Sequence, residues 1–176
     1  MARSRYKIIN NQYPYFLTST IVEWLPLFLD PAVVQIVLDS LRFLQNEKRL
    51  LAYSYVIMEN HLHLIESSQD LSKEIGDFKS FTARKIVDLY KKHQPQLLLK
   101  LSNAKKPFKN DRDYQVWQEG LHAQQILSEG MMRQKIEYIH YNPVRRGYID
   151  EPEHWRYSSA RNYTQKAGFI DVFTDW

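Results

Sequence analysis

The chain has 176 residues, 44% of them hydrophobic and 25% charged, which is enough apolar material for one domain with a core and too much for a disordered segment. It contains no cysteine, which excludes disulfide staples and thiolate metal sites and suits a reducing compartment. The formal charge is +4, but ten Lys or Arg residues between Lys79 and Arg112 face only Asp88 and Asp111, so that segment carries +8 and the remainder −4.

No apolar stretch behind the basic start MARSRYKIINNQY is long enough for a signal peptide, and no run reaches transmembrane length. No repeat, low-complexity tract or Gly/Ser linker divides the chain. The expectation is a soluble cytoplasmic protein of one domain, residues 1–176, with a C-terminal tail from about residue 144. Tyr13 to Glu23 (YPYFLTSTIVE) is aromatic and β-branched and reads as a first strand. Asp30-Pro31 supplies a cap and a first-turn proline, after which Val33, Val34, Val37, Leu38, Leu41 and Leu44 recur at helical spacing to about Glu47. Leu51 to Met58 and His61 to Ser67 are strand-like runs joined by Glu59-Asn60, a link short enough for a hairpin.

Asp70 can cap a second helix with apolar Leu71, Ile75, Phe78, Ile86 and Leu89, fading near Pro95. Lys100 to Arg112 shows no period and reads as a basic loop. Tyr114 to His122 alternates as a fourth strand, and Ser128 caps a last helix from Glu129 to about Asn142, stopped by Pro143. The order βαββαβ plus a helix predicts an α+β, ferredoxin-like fold with an antiparallel sheet and an additional C-terminal helix.

Within the basic segment, Lys79, Arg84, Lys85, Lys105, Lys106 and Lys109 accompany Phe81, Tyr90 and Phe108. Cations that neutralise phosphates beside rings that stack on bases make a nucleic-acid face, although a solvated helix face explains such a cluster equally well. Arg145 and Arg146, beyond the last helix, divide evenly between phosphate contact and plain exposure.

The stretch MENHLHLI holds His61 and His63 two apart on a strand, hence on one face, while Leu62 packs on the other. Two adjacent imidazoles can share a divalent ion; a cross-strand polar pair is the plainer reading. In YIHYNPV, Tyr138 and Asn142 are four apart, so a phenol and an amide oxygen can converge on one ion or phosphate. A core tyrosine followed by a C-terminal asparagine stop is the alternative.

Together these stretches resemble the Y1 transposases. MENHLHLI is similar to their histidine-hydrophobe-histidine (HUH) motif. YIHYNPVRRGYI and WRYSSAR (Trp155 to Arg161) resemble the C-terminal signature of the REP-associated tyrosine transposases, relatives of the IS200/IS605 enzymes. FKSFTARKI and VWQEGLH extend the likeness over most of the chain. The resemblance implies cleavage and rejoining of single-stranded or hairpin DNA through a 5′-phosphotyrosine, by a monomer in preference to a homodimer and with no membrane partner.

On this chain the resemblance makes His61 and His63 the metal pair, Tyr138 the nucleophile and Asn142 a third polar ligand. Mg²⁺ or Mn²⁺ suits the mixed imidazole and amide set, and zinc also binds histidine pairs. Glu59 stands where the family commonly has proline, and Tyr141 is a rival nucleophile. A phenol needs a proton acceptor, for which His140 and a metal-bound water are candidates. A DNA-binding protein that has lost turnover, and a metal-dependent hydrolase that uses water in place of tyrosine, are the competing classes.

Overall fold

A computed structural model describes residues 7–107, 109 and 111–176; Phe108 of the basic segment lies outside them. Among the described residues, β1 (Tyr15–Thr20), β2 (Leu51–Ile57), β3 (His61–Ser67) and β4 (His122–Gln125) form one antiparallel sheet in the order β2-β3-β1-β4. Helix α1 (Pro31–Asn46) connects β1 to β2, and α2 (Leu71–His93) follows β3. This is the expected ferredoxin-like arrangement.

The helix starts follow from side-chain oxygens that satisfy otherwise orphaned amides. Asp30 accepts from the Ala32 N–H ahead of Pro31, and Asp70 accepts from the Lys73 N–H. In α4 (Glu129–His140), the Ser128 hydroxyl accepts from the Met131 N–H.

Strand alternation divides the core in two. Leu17, Leu62 and Leu64 face Val34, Leu38, Ile75 and Phe78 of α1 and α2, whereas Phe16, Val56 and Ile65 face Met132, Ile136 and Ile139 of α4. Central strand β3 is therefore covered on both sides, and its first six residues are all buried. The open edge of β2 is closed by the tail: the Ile57 N–H donates to the Tyr157 carbonyl at 2.9 Å, and the Ser159 N–H to the Tyr55 carbonyl at 3.0 Å. Such capping removes an edge that would otherwise template aggregation.

Four boundaries differ from the sequence reading. β1 ends at Thr20 because Glu23 and Trp24 both turn into the left-handed region, at φ 52° and 55°, which costs about 1–3 kcal/mol per residue. The fourth strand is His122–Gln125; of the expected Tyr114 to His122 run only His122 lies in it, and Val116 to Gln118 meet β1's extension through an Ile21–Trp117 bridge and hydrogen bonds to Thr20 and Val22, because a bulge at Glu119-Gly120 interrupts the ladder with Gly120 at φ 82°. Pro95 opens a helix, α3 (Pro95–Asn103), as well as following one, and buries Leu98 and Leu101. Helix α4 stops at His140, and Pro143 lies in the first turn of a short successor, α5 (Asn142–Arg145).

On the α1/α2 face of β3, Glu66 is 1% exposed and its Oε2 has no partner. Burial without a cationic neighbour pushes its carboxyl up from 4.5 to about 8. The folded state thus holds a proton that the unfolded chain releases, so the stability this group contributes is full below pH 4.5 and is lost as pH rises through about 8. Glu66→Gln is expected to leave the urea midpoint unchanged at pH 4.5. At pH 9 it should raise stability on the order of 3 kcal/mol; an equal effect at both pH values would show that Glu66 is ionised in the fold.

Candidate active site

The alternation of β3 sends His61 and His63 to the α4 side of the sheet, where both are buried and their rings lie 4.8 Å apart. The register places Thr18 of β1 beside His63 on one side and beside His122 of β4 on the other, so His63, Thr18 and His122 form a row across one face. His61 Nδ1 donates to Asn60 Oδ1 at 2.8 Å; that amide oxygen can only accept, which leaves Nε2 of His61 as the lone-pair nitrogen. His63 Nδ1 pairs with the Thr18 hydroxyl at 2.9 Å. Outer oxygens that hold Nδ1 and turn Nε2 inward are the support a ligating histidine requires.

Burial holds both imidazoles neutral. His61 is lowered to about 4 by desolvation, then by the Arg146 charge against a weaker opposing pull from Glu59. His63 is lowered to about 3 by desolvation, then by His61, Arg146, His122 and Lys135. A neutral imidazole at pH 7 is the ligating form. Among the described residues no group of three or more His, Asp or Glu can hold a metal. The pair fits an ion only if a neutral oxygen from Asn142 or a substrate completes the set.

Helix α4 brings Tyr138 to the pair. Its ring meets that of His63 at 5.4 Å and 72°, and that of Phe16 at 5.7 Å, while Phe16 itself stacks on His63 at 5.4 Å. Tyr138 and Tyr141 are equally exposed, at 41% and 42%, but of these two tyrosines only Tyr138 makes a ring contact with His63 among the described residues. Asn142 is buried at the start of α5, and Arg146 at its end pairs with Glu59 at 3.0 Å, which ties this turn to the β2–β3 hairpin. Arg145 lies over the Tyr138 ring at 5.3 Å, and Lys135, one turn earlier, lies over Phe16 at 4.8 Å.

His140, one of the two candidate proton acceptors, is turned away from Tyr138 along α4. It is buried on the opposite flank of α4, with Nε2 2.9 Å from the Ser159 hydroxyl and 3.2 Å from that of Ser54, and burial lowers it to about 4. Sequence reasoning passes over Lys135 and reads His122 as a structural or solvent-exposed histidine. Helical spacing from Tyr138 would have found Lys135, whereas His122 needs the β4 register, which the bulge conceals.

The basic segment is less cationic than its composition. Lys79 is turned inward: its Nζ donates to the Gln118 and Gly120 carbonyls at 3.0 Å each, satisfying the bulge, and desolvation lowers it to about 8. Lys106 and Lys109 pair with Glu119 at 2.6 and 3.2 Å, and Arg112 pairs with Asp111 at 2.6 Å. Arg84, Lys85 and Lys105 form no ion pair among the described residues, and Arg84 and Lys85 are exposed on α2. Lys85 covers the Phe81 ring at 5.6 Å. These side chains lie with α2, across the sheet from Tyr138.

No family model and no curated protein matches the chain. Among solved structures, a REP-associated tyrosine transposase bound to a REP hairpin is similar over 100% of this chain and 95% of its own, with a TM-score of 0.68 at 16% identity. A putative transposase from Deinococcus radiodurans covers 79% of this chain and 95% of its own, with a TM-score of 0.46 at 18% identity. The first of these likenesses establishes a shared fold over the whole chain.

Ser159 is the fixed point of the helix that carries Tyr138. Its hydroxyl meets Ser54, His140 and the backbone N–H and carbonyl of Tyr55. Ser159→Ala leaves a buried imidazole and a buried amide with fewer partners, and is expected to cost about 2 kcal/mol in urea denaturation. A loss within experimental error would show that the junction carries no stability.

Proposed function

We propose that this protein is a metal-dependent tyrosine transposase of the REP-associated type, which cleaves and rejoins single-stranded or hairpin DNA. The observation that carries the reading is the contact between Tyr138 and His63, with His61 alongside, beneath one helix of a fold shared with a REP-associated tyrosine transposase bound to a REP hairpin. A hairpin core alone does not require a phenol against two neutral, outward-supported imidazoles.

The Tyr138 hydroxyl attacks the scissile phosphorus, its proton passes to an acceptor, and the P–O3′ bond breaks as the leaving 3′ oxygen takes up a proton from water. This leaves a free 3′-OH and a 5′-phosphotyrosine. Rejoining reverses the step: a 3′-OH attacks the ester and Tyr138 recovers its proton, so no nucleotide triphosphate is consumed. His61, His63 and the Asn142 side-chain oxygen would hold Mg²⁺ or Mn²⁺, which would supply Lewis-acid stabilisation of the phosphate. Arg145 and Lys135 set cationic charge on two sides of Tyr138, where phosphate oxygens are drawn in. Arg84, Lys85 and Lys105 supply charge for the flanking DNA.

A 3′-labelled oligonucleotide separates the classes: a covalent adduct marks a transposase, a free 5′ phosphate a hydrolase, and retention without cleavage a binding protein. Tyr138→Phe is expected to abolish the adduct while binding persists, and Tyr141→Phe to retain cleavage. An adduct mapped to Tyr141 would overturn the assignment. His61→Ala and His63→Ala should lose cleavage and keep binding. In a second measurement, Arg84→Glu with Lys85→Glu should weaken binding and reduce the salt slope by about 0.7 per lost contact; an unchanged slope removes α2 from the DNA path.

A further inference from the structure

Trp24 is 58% exposed beside His61, a position that packing does not explain. Its indole meets the His61 ring edge-on at 6.4 Å and 73°, a contact that leaves most of the side chain open. The backbone that presents it is left-handed at two successive non-glycine residues, Glu23 and Trp24. Hydrogen bonds to the β2–β3 hairpin secure this turn: the Ile21 N–H donates to the Asn60 carbonyl at 2.8 Å, and the Phe28 N–H to the Glu59 carbonyl at 3.0 Å. The Asn60 amide completes the link, because its Nδ2 donates to the Trp24 carbonyl at 3.3 Å while its Oδ1 accepts from His61. One side chain thus fixes the Trp24 backbone and the imidazole together.

We propose that Trp24 is a stacking platform for an unpaired nucleobase next to the scissile phosphate. The inference rests on the active-site reading above and adds to it the state of the substrate at the site. An indole held beside His61, with Arg146 paired to Glu59 of the same β2–β3 hairpin, sets a π face and a cation on one turn of the fold. Every base has a π face, so such contact is tolerant of sequence, and it is open only to a base outside the duplex stack. The cleaved nucleotide therefore lies in a single-stranded segment beside any hairpin stem.

The test uses full-length protein carrying Tyr138→Phe, so that binding is read without cleavage, and single-stranded oligonucleotides with one abasic site moved stepwise along the strand. Trp24→Ala is expected to weaken binding of the intact strand about 10-fold, and Trp24→Phe to weaken it less. At one abasic position, and at its neighbours only weakly, the Trp24→Ala penalty should vanish. An equal penalty at every position, or none on the intact strand, overturns the proposal. So does a change of oligomeric state in Trp24→Ala with DNA affinity intact, which would make the indole a protein contact. Failure of the wild-type chain to form an adduct overturns the active-site reading itself, and is scored separately from the Trp24 penalty.

Discussion

The second face of the sheet has to be covered by a helix whose apolar stripe is narrow, and the place where that helix is locked is the contact of His140 with Ser54 and Ser159. Met132, Ile136 and Ile139 give α4 its grip on Phe16, Val56 and Ile65, but an apolar stripe alone leaves a helix free to roll. His140 lies on the flank over β2 and the tail, and Tyr138 on the flank over β1 and β3, so fixing one sets the rotation that presents the other. The tail's WRYSSAR stretch therefore acts on the Tyr138 site through Ser159 and His140. It closes the β2 edge and supplies the hydroxyl that holds the helix.

The same cover sets the chemistry of the histidines. Two imidazoles on an exposed strand would be partly protonated near neutrality and would repel a cation. Beneath α4 they lose their water, which disfavours the charged form more than any neighbour does. Each keeps one polar partner, Asn60 or Thr18, and that offsets part of the cost of burial. Phe16 packs against both His63 and Tyr138, so the spacing of phenol and imidazole is set by a three-ring aromatic cluster, with a cation from α4 over the Phe16 ring.

Features that depend on local sequence were legible. Asp30, Asp70 and Ser128 announce three helix starts because a cap acts within one turn, and the alternation of β3 names the two histidines and the leucines behind them. Features that depend on distant partners were not. Glu119 lies outside the window that gave the basic segment its charge, yet it pairs with Lys106 and Lys109. Lys79 reads as a surface cation until the Glu119-Gly120 bulge supplies carbonyls for it. His140 sits beside Tyr138, Tyr141 and Asn142, and its contact with a serine 19 residues on, which marks it as a helix lock, is invisible in the sequence.

For the proposed function, placement of charge limits how a DNA strand would lie on the protein. Tyr138, Arg145 and the histidines are on the α4 side of the sheet, whereas Arg84 and Lys85 belong to α2 on the other. A straight duplex cannot touch both, because the four-stranded sheet stands between them and a duplex bends only at considerable cost. An unpaired strand can pass round the β4 edge, and the exposed residue at that edge on the histidine side is His122, in register with Thr18 and His63. A strand that engaged both faces would turn most cheaply where it is single-stranded, the same condition that the proposed stacking on Trp24 sets for the base it receives.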